Sequence, residues 1–416
     1  MTQLTAKPFT ARPFAARPFT AYPFGESTSV SNPLVWHAAY PDADGVMQAQ
    51  LIGSGTPSFT VDDGLLLPDH EGVYVAISED TPPWHGARWV DGVAYGTDGS
   101  GDPLDPLPSL YGAPAYTNSA TYSNDLTNAV WTASNVTVAK DANGLTGAPN
   151  TACTLTATAG NGTVIRNAIT AASGTHTTQW HIKRKTGTGT IEITVDNGTT
   201  WQDVTSLIDS STFNECLEGL TVTNPQIGIR IVTSGDAVYV GNAACHLSKS
   251  EAACRGSSPI ITAASTVTTT AISMSYDIAN FDAEKGAYYA ESYCDEYLAN
   301  QAGFISVVPQ SEPLFLVTKK AASYATTAGF INGPGSLTDG AYNKIAVTYS
   351  LSEAKARVTG NGSDGELKTN YAGFRTPILS GLEVLNGADN VQLIRNIRRY
   401  NLNYDASKAK ITELMT

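Results

Sequence analysis

The chain has 416 residues, with 25 Lys and Arg against 38 Asp and Glu and a net charge of −13. Such a length can hold about two to four domains with cores of their own, and an acidic balance of this size argues against nucleic acid as the main partner. No apolar run approaches the roughly 18 residues of a membrane-spanning helix, and the first residues lack the apolar stretch of a secretory signal, so neither membrane insertion nor secretion is expected.

Residues 1–25 form the first expected element. Four Pro-Phe pairs recur every five residues as Lys7-Pro8-Phe9, Arg12-Pro13-Phe14, Arg17-Pro18-Phe19 and Tyr22-Pro23-Phe24. Proline fixes φ, removes an amide donor and pushes the preceding residue towards extended backbone, so neither a helix nor a central strand runs through this stretch. The same prolines exclude the amphipathic helix of a transit peptide. An extended arm remains, whose aromatic plugs Phe9, Phe14, Phe19 and Phe24 have no core of their own. Such an arm needs a partner surface, and Arg12 and Arg17 give it a basic character opposite to that of the body.

Residues 26–110 read as a small, turn-rich acidic module. Thirteen acids face a single base, Arg88, which makes −12 in this window alone. Short apolar runs at 48–52, 59–61 and 72–77 are expected strands between Asp-Gly and Pro turns. Asp42-Ala43-Asp44-Gly45, Asp62-Asp63-Gly64 and the pair Asp98 and Asp102 carry calcium-type ligands, but none completes an EF-hand loop, and Asp-Gly also belongs in hairpin turns. Trp84, His85 and Trp89 cluster near Pro82-Pro83, where indoles either stack on a sugar or pack as core.

From 111 to 256 the pattern changes to period-two runs rich in Thr, Val and Ile, at 136–138, 153–158, 164–169, 177–183, 189–195, 227–232 and 237–240. Strands at this spacing, with the hairpin signal Asp196-Asn197-Gly198, specify a β-sandwich. Trp180 and His181 alternate on one strand, so one of them is expected to face solvent. The run Tyr122-Ser123-Asn124-Asp125-Leu126-Thr127-Asn128-Ala129-Val130-Trp131-Thr132, with Gly86-Ala87-Arg88-Trp89-Val90 ahead of it, resembles a module of tailed-bacteriophage structural proteins that is itself similar to carbohydrate-binding β-sandwiches. That resemblance implies a core role for Trp131.

Residues 257–271 are Ser-, Thr- and Ala-rich and read as a linker or a first edge strand. From 272 to 416, the pieces 274–277, 287–293, 303–308, 314–318 and 342–351 resemble a concanavalin A-like, laminin-G-type jelly roll. So do the strand containing Gly340-Ala341-Tyr342-Asn343-Lys344-Ile345, the closing strand Leu393-Ile394-Arg395-Asn396-Ile397-Arg398-Arg399-Tyr400 and a short terminal helix at 407–414. The calcium cluster of legume-type lectins has no residue-by-residue match.

Chemistry-bearing motifs are sparse. The chain has no G-x-S-x-G elbow, no P-loop and no H-E-x-x-H. His37, His70, His85, His176, His181 and His246 show no metal-ligand spacing. The five cysteines, Cys153, Cys216, Cys245, Cys254 and Cys294, form no CxxC pair and read as buried thiols, although Cys245 and Cys254 are close enough in sequence to close a small loop. Glycoside hydrolysis needs two carboxylates about one bond; Asp282 with Glu284, and Asp295 with Glu296, are the available pairs and read as solvated loop charge. Tyr288, Tyr289, Tyr293 and Tyr297 suit sheet packing better than a sugar platform.

The expected molecule is all-β: an extended Pro-Phe arm, a small turn-rich module, then two β-sandwich or jelly-roll domains. No catalytic residue, metal or cofactor is expected. The resemblances imply a virion structural protein assembled in the host cytoplasm. It would be a tail fibre or receptor-binding appendage or, as the second reading, a head, collar or tail decoration protein. Pro8, Phe9, Arg12, Pro13, Phe14, Arg17, Pro18, Phe19, Pro23 and Phe24 would dock onto portal, collar, tail or capsid subunits. Trp84, Trp89, Tyr289 and Tyr293 are the candidate contacts to a host-surface saccharide. A homo-oligomer is expected, a trimer first, formed through sandwich faces or the arm because no heptads are present.

Overall fold

The computed structural model describes residues 34–53, 55–276, 285–294, 305–308, 313–318, 321–326, 329–332, 337–350, 352–365, 367, 369, 381–384 and 391–415. The Pro-Phe arm, with Pro8 to Phe24, lies outside them, as do Asp282, Glu284, Asp295, Glu296 and Tyr297.

Alternating Val, Ile and Thr runs build a central sandwich of two five-stranded sheets. One runs in the order Trp131–Ser134, Gly162–Arg166, Gly228–Ile231, Ile191–Thr194 and Gln202–Asp203. The other runs Val136–Ala142, Ala152–Ala157, Ala237–His246, Gly174–Thr186 and Asn214–Val222. Every pairing in both sheets is antiparallel. One side chain in two points inward, so Leu155, Ile182, Ile191, Ile193, Ile229, Val238 and Val240 fill the space between the sheets. Trp131 and Trp180 meet edge to face there at 5.9 Å, and the Trp131 indole donates to the Tyr122 carbonyl at 3.1 Å. The core role implied for Trp131 is therefore observed. The turn at Asp196-Asn197-Gly198 is real too: Asn197 and Gly198 both have positive φ, 61° and 77°, as a tight hairpin requires.

A second sandwich draws on both ends of the chain. Its nine-stranded sheet is ordered Met47–Ile52, Leu34–Pro41, Gln392–Tyr400, Lys285–Cys294, Ala341–Ser350, Lys355–Gly360 and Ser363–Asp364. Ser109–Gly112 joins on Gln392–Tyr400, and Trp84–His85 pairs with Ser109–Gly112. The facing seven-stranded sheet is ordered Gly329–Asn332, Ala321–Thr326, Pro313–Thr318, Ile305–Val308, Gly381–Val384, Ser273–Tyr276 and Ser58–Thr60. The described part of the expected 26–110 module, from residue 34 on, therefore does not stand apart. Its runs at 34–41, 47–52, 58–60 and 84–85 complete the sheets of the C-terminal sandwich, because edge amides and carbonyls need partners wherever the chain can supply them. Two further hairpins of this region, Leu65–Pro68 with Tyr74–Ile77 and Arg88–Val90 with Val93–Tyr95, pack against the core of that sandwich through Leu65, Leu67, Ile77, Trp89 and Ala94.

Residues 257–271 are not a free linker either. Ser257, Ser258 and Thr262 are buried, and Val267–Thr268 pairs with Thr117–Asn118. Ser258 donates its amide to the Tyr111 hydroxyl at 2.9 Å and its hydroxyl to the Leu66 carbonyl at 2.9 Å. Asn118 ties the connector to the central sandwich, donating to Ile260 and accepting from the Cys245 amide. Pro33–Thr416 accordingly forms one compact unit. This packing buries His181 as well as Trp180: Tyr74 lies edge-on to the imidazole at 5.5 Å, where solvent exposure of one of the two was expected. A helix, Tyr404–Met415, closes the chain; Asn403 caps it by accepting from the Ala406 amide, and its Ile411 packs on Tyr289, Ala346 and Tyr400.

Candidate functional site

The strand pairing of the nine-stranded sheet brings two tyrosines side by side. Tyr293 on Lys285–Cys294 lies opposite Tyr342 on Ala341–Ser350, and Leu393 of Gln392–Tyr400 lies on the other side of Tyr293. The two phenol rings are 5.3 Å apart and tilted by 46°. They line a cavity of about 440 Å³ together with Leu393 and Val391, the loop residues Leu104 to Leu107, Asp69 and His70 of the first hairpin, and His85. This volume lies within the range of small-molecule sites, roughly 300–1,000 Å³, and aromatic walls with a few polar groups are their usual composition.

The aromatic wall is held by a network of polar side chains. Asn396 sits in the left-handed region with φ 51°, beside a bulge in the pairing of Gln392–Tyr400 with Lys285–Cys294. A bulge of this kind re-aims side chains. The Arg395 guanidinium lies 3.7 Å from the centre of the Tyr342 ring, bonds Glu291 at 2.8 Å and donates to the Leu107 carbonyl at 2.8 Å. Glu291 also accepts from Tyr289 and from the Asn396 amide. Asn396 in turn meets His37 at 3.1 Å and accepts from Arg398 at 2.8 Å. Burial, with the nearby Arg398 charge, pushes the His37 imidazole down to about 3 against the opposing hydrogen bond to Asn396, so it stays neutral. At the outer end, the Tyr342 and Ser109 hydroxyls are 2.7 Å apart, and burial raises the phenol above its ordinary value. The ring is thus fixed by a cation on one face and a hydroxyl at its tip.

Of the four rings proposed from sequence, the structure brings only Tyr293 to this cavity. Tyr289 is 1% exposed beneath the terminal helix, so it is core and not a sugar contact. Trp84 is 3% exposed and also belongs to the core. Trp89 packs against that core, and both indoles line a second, largely apolar cavity of about 380 Å³ with Met47, Val75 and Ile77. Sequence reasoning missed Tyr342, His70, Asp105 and Arg395. Tyr342 stood in a quoted strand, but its pairing with Tyr293 depends on a register that no local pattern carries.

The acidic turns find their partners within the protein, Asp62 accepting from the Thr270 amide and hydroxyl. Asp42 accepts from the amides of Asp44 and Val46, Asp69 from those of Glu71 and Val73, and Asp98 from those of Ser100 and Asp102. Among the described residues no three His, Cys, Asp or Glu side chains are placed to hold a metal ion. None of the five cysteines forms a disulfide, and all are buried.

The fold and cavity define an all-β protein of two joined β-sandwiches. No protein-family model and no curated protein matches the sequence. Solved structures overlap it weakly. Domain 4 of AbnA, a GH43 extracellular arabinanase from Geobacillus stearothermophilus, in complex with arabinotriose, is 11% identical over 37% of this chain and 78% of its own, with a TM-score of 0.28. The CBM22-1-CBM22-2 tandem domain of Paenibacillus barcinonensis Xyn10C is 11% identical over 69% of this chain and 98% of its own, at 0.25. An HCR/D mutant structure is 10% identical over 35% of this chain, at 0.28, and the chain spans 39% of its length.

Proposed function

We propose that this chain is a non-enzymatic structural protein of a tailed bacteriophage, a tail fibre or receptor-binding appendage that presents its sandwiches to host-surface glycans. The observation that carries the saccharide part is the cavity beside Tyr293 and Tyr342. A fixed aromatic wall stacks on the apolar face of a sugar ring, and surrounding carboxylates and imidazoles accept and donate to its hydroxyls. A single shallow site of this kind binds weakly, on the order of millimolar to micromolar, so useful attachment comes from several copies acting together. A trimer supplies those copies, and light scattering on the purified full chain reads the assembly state.

The virion part rests on the Pro-Phe arm and on the phage-module resemblance of residues 122–132. Each buried Phe contributes about 1.5–3 kcal/mol, and four linked plugs reinforce one another. Removing residues 1–25 is expected to leave a soluble, folded protein that no longer joins particles; normal incorporation would contradict the anchoring role. Fluorescent full chain, clustered on beads, is expected to coat host cells without releasing reducing sugar from capsule or lipopolysaccharide. Release of reducing ends would move the protein to the depolymerases. One observation favours the decoration reading: Val73, Val90 and Val93, on the hairpins at 65–77 and 88–95, are 41%, 39% and 39% exposed, and a neighbouring subunit would cover them. Absence of host-cell binding combined with normal particle incorporation would select that reading.

A further inference from the structure

We propose that the cavity beside Tyr293 and Tyr342 selects neutral and amino-bearing saccharides and turns away acidic ones, an inference that rests on saccharide binding at this cavity. The charged side chains on its wall are carboxylates, Asp69 and Asp105, and no lysine or arginine lines it among the described residues. Three arginines neighbour its lining residues, each with a partner of its own. Arg395 lies over the Tyr342 ring, bonded to Glu291 and to the Leu107 carbonyl. Arg255, next to the lining residue Gly256, is 44% exposed and lies 4.0 Å from Glu251. Arg88, the one base between residues 26 and 110, donates to the Thr97 carbonyl and lies over the Tyr95 ring. Thirteen acids share that same stretch of chain.

An acidic sugar therefore brings its carboxylate to a like charge, with no lysine or arginine on the wall among the described residues to meet it. A hydroxyl or an ammonium instead finds an acceptor in the same carboxylates. Like charges a few ångströms apart in a partly screened site weaken binding by about tenfold, and salt narrows the difference.

The test titrates the full chain with matched oligosaccharides of glucose, glucosamine and glucuronic acid, or with the same trio of another backbone where a glycan screen points to one. Neutral and amino forms are expected to bind at least about tenfold more tightly than the acidic form at low salt. Asp105→Asn is expected to narrow that gap, and Asp105→Lys to close or reverse it. Asp105 sits exposed in a loop, and a melting curve checks that both variants keep the fold. Equal or tighter binding of the acidic form, or a gap unchanged in both variants, overturns the inference and leaves saccharide binding standing. Binding by no member of any trio overturns the saccharide reading and this inference with it.

Discussion

At the scale of single residues, the most constrained position is Gly286. Its φ is 149°, and an added Cβ would run into an Arg399 guanidinium nitrogen and the Tyr400 carbonyl oxygen. Arg399 is fully buried between the rings of Tyr288 and Tyr349, whose centroids are 4.7 and 5.4 Å away, and it donates to the Lys285 carbonyl and the Tyr349 hydroxyl. Neither backbone nor cation can yield, so Gly286→Ala is expected to destabilise the protein by at least about 1–3 kcal/mol, read by chemical denaturation. Retained stability would mean that this corner is looser than its packing. Sequence alone marks Arg399 only as one base in a basic strand, since neither its burial nor its aromatic cage has a local signature.

Titratable residues at the same scale set a pH dependence. Burial pushes His181 down to about 3, helped by the nearby His246; burial likewise lowers His246 to about 4 against its bond to the Thr117 carbonyl, and His37 to about 3. Unfolded, these imidazoles take up protons near pH 6.5. Stability is therefore lost as pH falls below that value, by up to about 1.4 kcal/mol per pH unit for each histidine. Glu218 acts in the opposite direction. Burial first, then Asp196 and Glu251, raise it to about 8, so the folded state keeps a proton that the unfolded state releases, and stability falls between about pH 4.5 and 8. Melting curves are expected to peak near pH 6–7, and Glu218→Gln to flatten the alkaline side and steepen the acid side. A maximum at pH 4 would contradict the burial of the three histidines.

At the scale of elements, period-two alternation made most strands of the central sandwich legible, and the runs at 287–293, 342–351 and 393–400 correspond to Lys285–Cys294, Ala341–Ser350 and Gln392–Tyr400. What alternation cannot carry is partner choice. Leu34 pairs with Tyr400 and Phe59 with Met274, contacts closed by the whole intervening chain, while the acids of 26–110 made that stretch look separate. The candidate site was legible to the same degree: Tyr293 stood out in a tyrosine-rich strand, but Tyr342 and the loop carboxylates required the register. It follows that residues 257–416 expressed alone lack the strands at 34–41, 47–52, 58–60 and 109–112 and leave sheet edges unpaired. That fragment is expected to aggregate or be digested rapidly by protease, whereas residues 26–416 resist. A monomeric, protease-resistant 257–416 fragment would show that those strands are dispensable.

At the scale of the whole molecule, the two sandwiches are locked by buried contacts. Tyr74 donates its amide to the Leu145 carbonyl, Tyr111 and Leu66 hold Ser258, and Tyr116 donates to the Ala253 carbonyl at 2.5 Å. Gly256, at the exit of the central sandwich, lines the same cavity as Tyr293 of the C-terminal one, so both sandwiches contribute to its wall. The most direct measurement is a glycan-array screen of the purified full chain beside the Tyr293→Ala, Tyr342→Ala double variant, both checked for an intact fold by circular dichroism. The saccharide account predicts a restricted set of glycans bound by the natural chain and lost, by at least about tenfold in apparent affinity, in the double variant. No bound glycan, or the same set retained without the two tyrosines, would contradict it.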